Sequence, residues 1–343
     1  MYSPFFMYFA SGTMKILILR FSSIGDIVLT TPLVRCVKEQ VQDCTLHFAT
    51  KQAYRGLVDN NPYLDKVHVL EDDINTLIQE LQEEKFDLIL DLHHNIRTQI
   101  IKMRLRVKSV SVNKLNWEKW LLTQFKIDKL PNYKHIVSRY LHTARSIGVS
   151  YDKGGLDYFI PKEDELDIHQ LFPEASGGYV AFAIGAKYST KRLPYLKIAE
   201  ICEQIEQPII LLGGLDDSAR GEEIVSKCVD TRIFNACGKL NLNQSAFIIK
   251  EANLVISHDT GLMHIAAAFE KSIISIWGNT MPEFGMHPYL EKSEFIAIQV
   301  KELNCRPCSK IGYKKCPKGH FKCMQDIDVN EVVTALDYFL KPA

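Results

Sequence analysis

The sequence predicts an α/β protein made of two doubly wound, parallel-sheet domains, and three observations support that class. The chain has 343 residues, more than the roughly 100–200 that one domain uses. Short, near-continuous apolar runs alternate with helical patterns, as expected for strands covered by helices on both faces. The alternation pauses once, at the acidic stretch 162–178 (KEDELDIHQLFPEASGG), which carries a Pro and a Gly pair, and then resumes.

In the first half, residues 15–20 (KILILR) read as a strand, followed by a helix over about 25–40. Strands are expected at 46–50 and 66–70, a helix at 74–84, a buried strand at 86–91 (FDLILD), and a mainly helical stretch at 117–148. In the second half the strands are expected at 179–184, 208–212, 232–235, 253–257 and 272–277. Helices fall at 194–205, 216–227, 243–251 and 262–269, and a final helix at 329–340. The expected organisation is a domain over 14–165, a second over 176–325, and a C-terminal helix within 326–343 that packs back on the body.

Composition narrows the function classes. Hydrophobic residues make up 46% and charged residues 24%, which fits a folded globular chain rather than a disordered one. Lys plus Arg and Asp plus Glu both number 41, so global charge gives nucleic acid binding no support. No apolar run approaches the ~18 residues of a membrane span. Residues 1–13 are aromatic but lack the basic flank of a secretory signal; Met14 starts a clean strand and is the expected start of translation, with a weak membrane-touching tail over 1–13 as the alternative. Nine cysteines without an export signal point to thiols in a reducing, cytoplasmic setting. Cys36, Cys202 and Cys228 fall in helical patterns as core residues.

Five motifs could carry chemistry. After the first strand, 21–28 (FSSIGDIV) presents Asp26 at a helix start, where ligands of doubly wound sheets bind. Asp26 either acts in a cleft or caps the helix. The turn has one glycine where a dinucleotide fingerprint needs three, which disfavours a nicotinamide oxidoreductase. After the buried strand, 91–97 (DLHHNIR) opens a stretch with six Lys/Arg and no acid from Arg97 to Lys114. That stretch can attract an anionic substrate, or form a solvated helix face. The loop 184–194 (IGAKYSTKRLP) offers hydroxyls and cations as a diphosphate grip, with Lys191 as a point charge and Pro194 suited to a helix's first turn.

The strongest motif is 257–268 (SHDTGLMHIAAA), between a strand and an Ala-rich helix. A helix N-terminus has free N–H groups and a positive dipole end, and Gly261 permits close approach of a ligand. Asp259 could equally cap the helix; His264 is expected one turn in on the exposed side, with a core histidine as the alternative. Lastly, Cys305, Cys308, Cys316 and Cys323 follow the spacing C-x2-C-x7-C-x6-C, with seven Lys/Arg and one Glu over 301–322. The expected state is unligated thiols. A structural zinc is the alternative, against which the wide second spacing counts.

In this order and spacing, the motifs resemble family 9 glycosyltransferases, the ADP-heptose:lipopolysaccharide heptosyltransferases. The resemblance rests on 15–32 (KILILRFSSIGDIVLTTP), 91–98, 185–194, 211–217 (LLGGLDD), 257–269, 276–288 (IWGNTMPEFGMHP) and the tail 322–327 (KCMQDI). It implies a GT-B fold, with two Rossmann-like domains facing across a cleft, and a nucleotide-diphosphate sugar donor held by the second. Asp26 matches the position of the catalytic base. Lys191, Asp259, Thr260, Gly261 and His264 match the donor side, and Lys187 and Thr190 of the same cationic loop are further donor-binding candidates. Ser23, Gly25, Asn95 and Arg97 are the expected acceptor residues, facing an anionic lipid-linked glycan at the inner face of the cytoplasmic membrane. No cofactor or metal is expected, since Lys191 and the helix end at Thr260 would neutralise the departing diphosphate. The sequence departs from the family at Leu193, where many members have Trp, and at Ala186–Lys187, where some have a threonine pair. Both positions lie on the donor side and bear on which sugar is carried. A silent binding protein of the same fold is the rival reading.

Overall fold

The structure is a computed structural model that describes residues 13–132 and 135–340. Most of residues 1–13, and with them the expectation about the start of the chain, lie outside the described residues. The described residues fall into two compact units: those within Met1–Leu115 and Tyr133–Phe159, and those within Asn116–Asn132 and Ile160–Ala343.

The first unit runs β1 (Met14–Leu19), α1 (Ile24–Val28), α2 (Thr31–Gln40), β2 (Cys44–Lys51), β3 (Lys66–Leu70), α3 (Ile74–Glu84), β4 (Leu88–Asp91), α4 (Ile96–Leu105) and β5 (Ser109–Ser111). The chain then contributes α5 (Asn116–Phe125) to the second unit and returns for α6 (Ile136–Thr143). The sheet is parallel throughout, in the order β3-β2-β1-β4-β5. Leu17 and Leu19 of β1 and Ile89 of β4 are buried against Leu77 and Leu81 of α3. The apolar runs are continuous because helices cover both faces of the sheet.

The single helix expected over 25–40 is two. Pro32 lacks the N–H that a continuous helix would need there and takes an early position in α2 instead. Thr30 and Thr31 turn back to donate to the carbonyls of Ile27 and Val28, at 2.7 and 2.8 Å. Likewise 117–148 is not one helical stretch: Lys126 adopts φ 60° after α5, and Pro131 follows.

The second unit continues with α7 (Ile168–Leu171), β6 (Val180–Ala183), α8 (Tyr195–Cys202), β7 (Ile209–Leu212), α9 (Ser218–Lys227), β8 (Ile233–Asn235), α10 (Leu242–Glu251) and β9 (Leu254–His258). It ends with α11 (Gly261–Ala268), β10 (Ile273–Trp277), β11 (Phe295–Gln299), α12 (Lys322–Gln325) and α13 (Val329–Leu340). Its parallel sheet has the order β11-β10-β9-β6-β7-β8. Helix α13 places Val332, Ala335 and Leu336 in the same core as β6 and α8. The acidic stretch before β6 is also held here: Asp164 accepts from the side chains of Asn241 and Asn243, at 2.6 and 2.9 Å.

In both sheets the winding direction reverses once. In the first, the reversal lies between β1 and β4; in the second, between β6 and β9. The carboxyl ends of strands on either side of such a reversal leave a crevice where ligands of open α/β sheets bind. No helix of the described residues is long and apolar enough to cross a membrane.

Candidate active site

In the first unit, the chain leaving β1 places Arg20 directly beyond the strand, 8% exposed. Its Nε donates to the Ser22 carbonyl at 2.8 Å, Nη1 to the Leu92 carbonyl at 2.5 Å, and Nη2 pairs with Asp26 Oδ1 at 2.8 Å. Burial opposes the charge of Arg20, but Asp26, Tyr140 and Asp91 outweigh it and hold the guanidinium above its ordinary pKa. The other carboxylate oxygen of Asp26 accepts from Ser23 Oγ at 2.7 Å and from the Ser23 N–H at 3.3 Å. Asp26 therefore does part of a cap's work at the start of α1 and is also one half of an ion pair. Gly25 lies in the buried part of that turn.

The loop after β4 meets the same place through Leu92, whose carbonyl Arg20 holds. Asp91 is fully buried; it accepts from the N–H groups of His93 and His94, at 3.1 and 2.6 Å, and pairs with Lys102 at 2.8 Å. His93 packs edge-on to Phe21, with ring centroids 5.9 Å apart. Burial, then Arg20 and Lys114, push His93 down to a pKa of about 4, so it is neutral at physiological pH. Asn95 caps α4, accepting from the Thr98 N–H at 3.0 Å, and Thr98 returns the bond. Arg97 lies over the Phe21 ring at 5.8 Å.

In the second unit, Lys191 follows β6 and pairs with Asp259 Oδ2 at 2.6 Å, with the Asp259 carbonyl a further 3.3 Å contact. Thr280, beyond β10, donates to the same Asp259 Oδ2 at 2.8 Å. Thr260 is the N-cap of α11 with extended φ and ψ, and its side chain makes no capping bond to the helix. Its hydroxyl instead lies 3.3 Å from that of Ser257. Gly261 opens α11, and His264 follows one turn in, 2% exposed rather than on the exposed side expected. Lys187 is exposed, with its ammonium 5.9 Å from the Tyr188 ring centroid.

Thr190 is buried, and both capacities of its hydroxyl are spent on the backbone of Tyr313: it accepts from the N–H at 2.8 Å and donates to the carbonyl at 3.0 Å. It fastens the cysteine-bearing segment to the loop after β6. His258 is fully buried; its Nε2 accepts from the Leu193 N–H at 3.1 Å. Burial first, then Arg220 and Arg192, push its pKa to about 3. Gly185 is required by close approach, since a Cβ there would collide with the Asp217 carboxylate.

The structure thus gathers Ser23, Gly25 and Asp26 at one switch point, with Asn95 and Arg97 at the start of the adjoining helix α4. It gathers Lys191, Asp259, Thr260 and Gly261 at the other. Sequence reasoning missed Arg20, Tyr140 and Asn279. A charge ending an otherwise apolar strand was the available signal for Arg20. Tyr140 is buried on α6 with Arg20 5.9 Å from its ring centroid. Asn279 is 1% exposed, and neither polar atom of its side chain has a partner among the described residues. A groove of about 620 Å³ between α5 and residues 299–307 holds none of the candidate residues.

None of the four tail cysteines, Cys305, Cys308, Cys316 and Cys323, is in a disulfide. Cys305 Sγ lies 3.7 Å from His320 Nε2. The donor set that converges within 4.8 Å among the described residues is elsewhere: His47, His68 and Glu84 in the first unit. There His47 Nδ1 and His68 Nε2 are 2.9 Å apart, and Glu80 holds the far nitrogen of His68 at 2.6 Å.

A family model described as glycosyltransferase family 9 (heptosyltransferase) matches residues 74–316, well over half of the chain. Over 292 residues the chain is 24% identical to a lipopolysaccharide heptosyltransferase 1 of Campylobacter coli, covering 78% of this chain and 84% of that one. The crystal structure of a family 9 glycosyltransferase of Veillonella parvula matches with a TM-score of 0.75 and 20% identity, covering 95% of this chain and 97% of that one. The ADP-heptose LPS heptosyltransferase II of E. coli matches with a TM-score of 0.70 and 19% identity, covering 95% and 98%. The likeness shows the fold: two Rossmann-like units of the GT-B type.

Proposed function

Because this chain belongs to glycosyltransferase family 9, the heptosyltransferase family, we propose that it moves a heptose from an ADP-activated donor to the anionic core of a lipid-linked glycan of the lipopolysaccharide type. Transfer proceeds with inversion and without a metal. The relatives support the sugar and acceptor class: one is named a lipopolysaccharide heptosyltransferase, and another an ADP-heptose LPS heptosyltransferase.

The observation that carries the reading is the Lys191–Asp259 pair at the head of α11, at the switch point of the second sheet. An ammonium has three donors. Asp259 occupies two of them, and the third is directed to a donor phosphate oxygen. The first N–H groups of α11, from Gly261 onward, supply the rest of the diphosphate grip, as helix N-termini do. His264, Thr260 and the exposed Lys187 line the same donor side, and Thr190 holds its floor through Tyr313.

In the reaction, Asp26 takes the proton of an acceptor hydroxyl as that oxygen attacks the anomeric carbon. The bond from that carbon to the diphosphate breaks, and its electron pair leaves on the phosphate oxygen. One displacement with a single carboxylate inverts the anomeric configuration. Lys191 and the helix end neutralise the departing charge, which is the work a metal would otherwise do. Ser23 and Gly25 shape the turn that presents Asp26, and Asn95 and Arg97 face the acceptor's anionic groups.

The test is a thermal-shift panel of ADP-, UDP- and GDP-sugars, followed by detection of released nucleoside diphosphate with a lipopolysaccharide-core acceptor. Stabilisation by ADP-heptose and release of ADP are expected. A response confined to UDP- or GDP-sugars would reassign the donor, and the substitutions at Ala186–Lys187 and Leu193 are where that difference would originate. Binding without turnover would make the chain a nucleotide-sugar-binding protein.

A further inference from the structure

The second unit carries an aromatic surface that nothing in the sugar-transfer scheme uses. Helix α5 buries Leu122 and Lys119, with the Lys119 ammonium 5.6 Å from the Phe284 ring centroid. Its other side is apolar and open: Trp117 is 65% exposed and Phe125 58%, with Trp120 and Ile127 also exposed. Trp117 and Trp120 stack with centroids 4.9 Å apart, and Phe125 meets Trp120 edge-on at 5.2 Å. An amphipathic helix normally turns such residues inward. Here the three rings form one outward ledge.

A basic loop is fastened to this ledge. Lys310 donates to Asn116 Oδ1 at 2.8 Å, and Lys126 to the Pro307 carbonyl at 2.8 Å. The loop adds the exposed apolar side chains of Ile311 and Tyr313, and the exposed cations Lys314, Lys315 and Lys318. Glu118 and Asp128 are the carboxylates on the α5 segment itself, against Lys129 and the four lysines of the loop.

We propose that α5 and the 310–318 loop dock on an anionic lipid bilayer, with the rings at the headgroup level and the lysines over the lipid charge. Trp and Tyr suit that depth because each has an apolar body and a polar edge. Each basic residue near an anionic surface adds about fivefold to partitioning, an effect that salt screens. A neutral protein with its cations gathered beside exposed aromatics matches such a surface in both charge and polarity. The proposal rests on the functional reading only for the reason a membrane is met, namely a lipid-linked acceptor.

The experiment uses the full chain and vesicles, and no sugar transfer. The sequence has three tryptophans, and Trp277 is fully buried, so a vesicle-induced blue shift of emission reports Trp117 and Trp120. Equimolar phosphatidylcholine–phosphatidylglycerol vesicles are expected to give that shift and to co-sediment the protein, whereas pure phosphatidylcholine vesicles give neither. Trp117→Ser with Trp120→Ser should abolish co-sedimentation with the anionic vesicles. Lys314→Gln, Lys315→Gln and Lys318→Gln together should weaken binding about a hundredfold. Both variants should keep the wild-type melting temperature, so loss of docking is separable from loss of folding. An absent blue shift, equal binding to neutral vesicles, or emission already blue-shifted by lipid-independent self-association would overturn the proposal.

Discussion

The two switch points use the same pair of charges with the roles exchanged. In the first unit, a buried arginine is pinned by two backbone carbonyls and holds Asp26 from one side, while Ser23 holds it from the other. In the second, the carboxylate is the pinned member: Thr280 fixes Asp259, which in turn steadies Lys191. One site presents an oriented carboxylate, the other an oriented cation. Arginine suits the first task because its planar fork spends several donors at fixed angles, and lysine the second because its compact charge keeps a donor for a ligand. A proton acceptor and a phosphate grip are the two things a sugar transferase needs.

This contrast can be broken most directly at Asp26. Asp26→Asn keeps the shape of the turn and removes the base. A loss of ~10²–10⁴ in turnover is expected with ADP affinity unchanged, and calorimetry alongside steady-state rates would show it. Near-normal turnover removes Asp26 from the chemistry.

Acidification affects both units through histidines that are buried and neutral. His47 is pushed down to about 4, by burial and then by His68, and His258 to about 3. The unfolded chain protonates them near the ordinary value of ~6.5, so stability is complete above that pH and is lost as the pH falls toward the folded values. Each contributes a loss of about 2–3 kcal/mol by about pH 4.5. Urea melts of His47→Asn and His258→Asn should each show a flatter acid limb than wild type. A parallel pH profile would refute the assignment for that histidine.

The charge pairs should then separate by the kind of damage their loss causes. Arg20→Met leaves Asp26 without its partner and should cost about 2–3 kcal/mol of stability, below the full cost of a sealed pair because Asp26 keeps some solvent. Lys191→Met leaves the Asp259 side chain, 10% exposed, without its cation and should cost a similar loss of about 2–3 kcal/mol, yet also weaken ADP binding about tenfold, as loss of one charged hydrogen bond does. ADP affinity unchanged in Lys191→Met, or weakened equally in Arg20→Met, would erase the distinction between a pinned cation and a ready one. The smallest effect belongs to Thr190→Val, expected to cost about 1 kcal/mol by freeing the Tyr313 backbone. A melt unchanged within a few tenths would show that the tie is dispensable.

Long apolar strands and amphipathic helices were legible in the sequence: β3, α3 and α13 lie where their periodicity puts them. The split of α1 from α2 was also written there, in Pro32. β5 was not legible, because three residues, SVS, carry no apolar run and are strand only through pairing with β4. Helix α4 was hidden by its charges: Ile96 and Met103 face solvent, so the apolar stripe that marks a packed helix is weak. For the site, motif spacing located Asp26, Lys191 and Asp259. It could not show that Arg20 and Thr280 orient two of them, because Arg20 is itself pinned by the distant Leu92 carbonyl and Thr280 reaches Asp259 from beyond another strand.

The division of the chain has a practical corollary. The backbone passes from one unit to the other at 115/116, 132/133 and 159/160, so no single cut yields both halves intact. A fragment beginning at residue 160 would lack the helix that lies against Phe284 and the Lys126 ammonium that ties down the Pro307 carbonyl. Domain-swapped chimeras between members of this family should therefore carry residues 116–132 with the C-terminal half they touch, whichever half supplies the surrounding sequence.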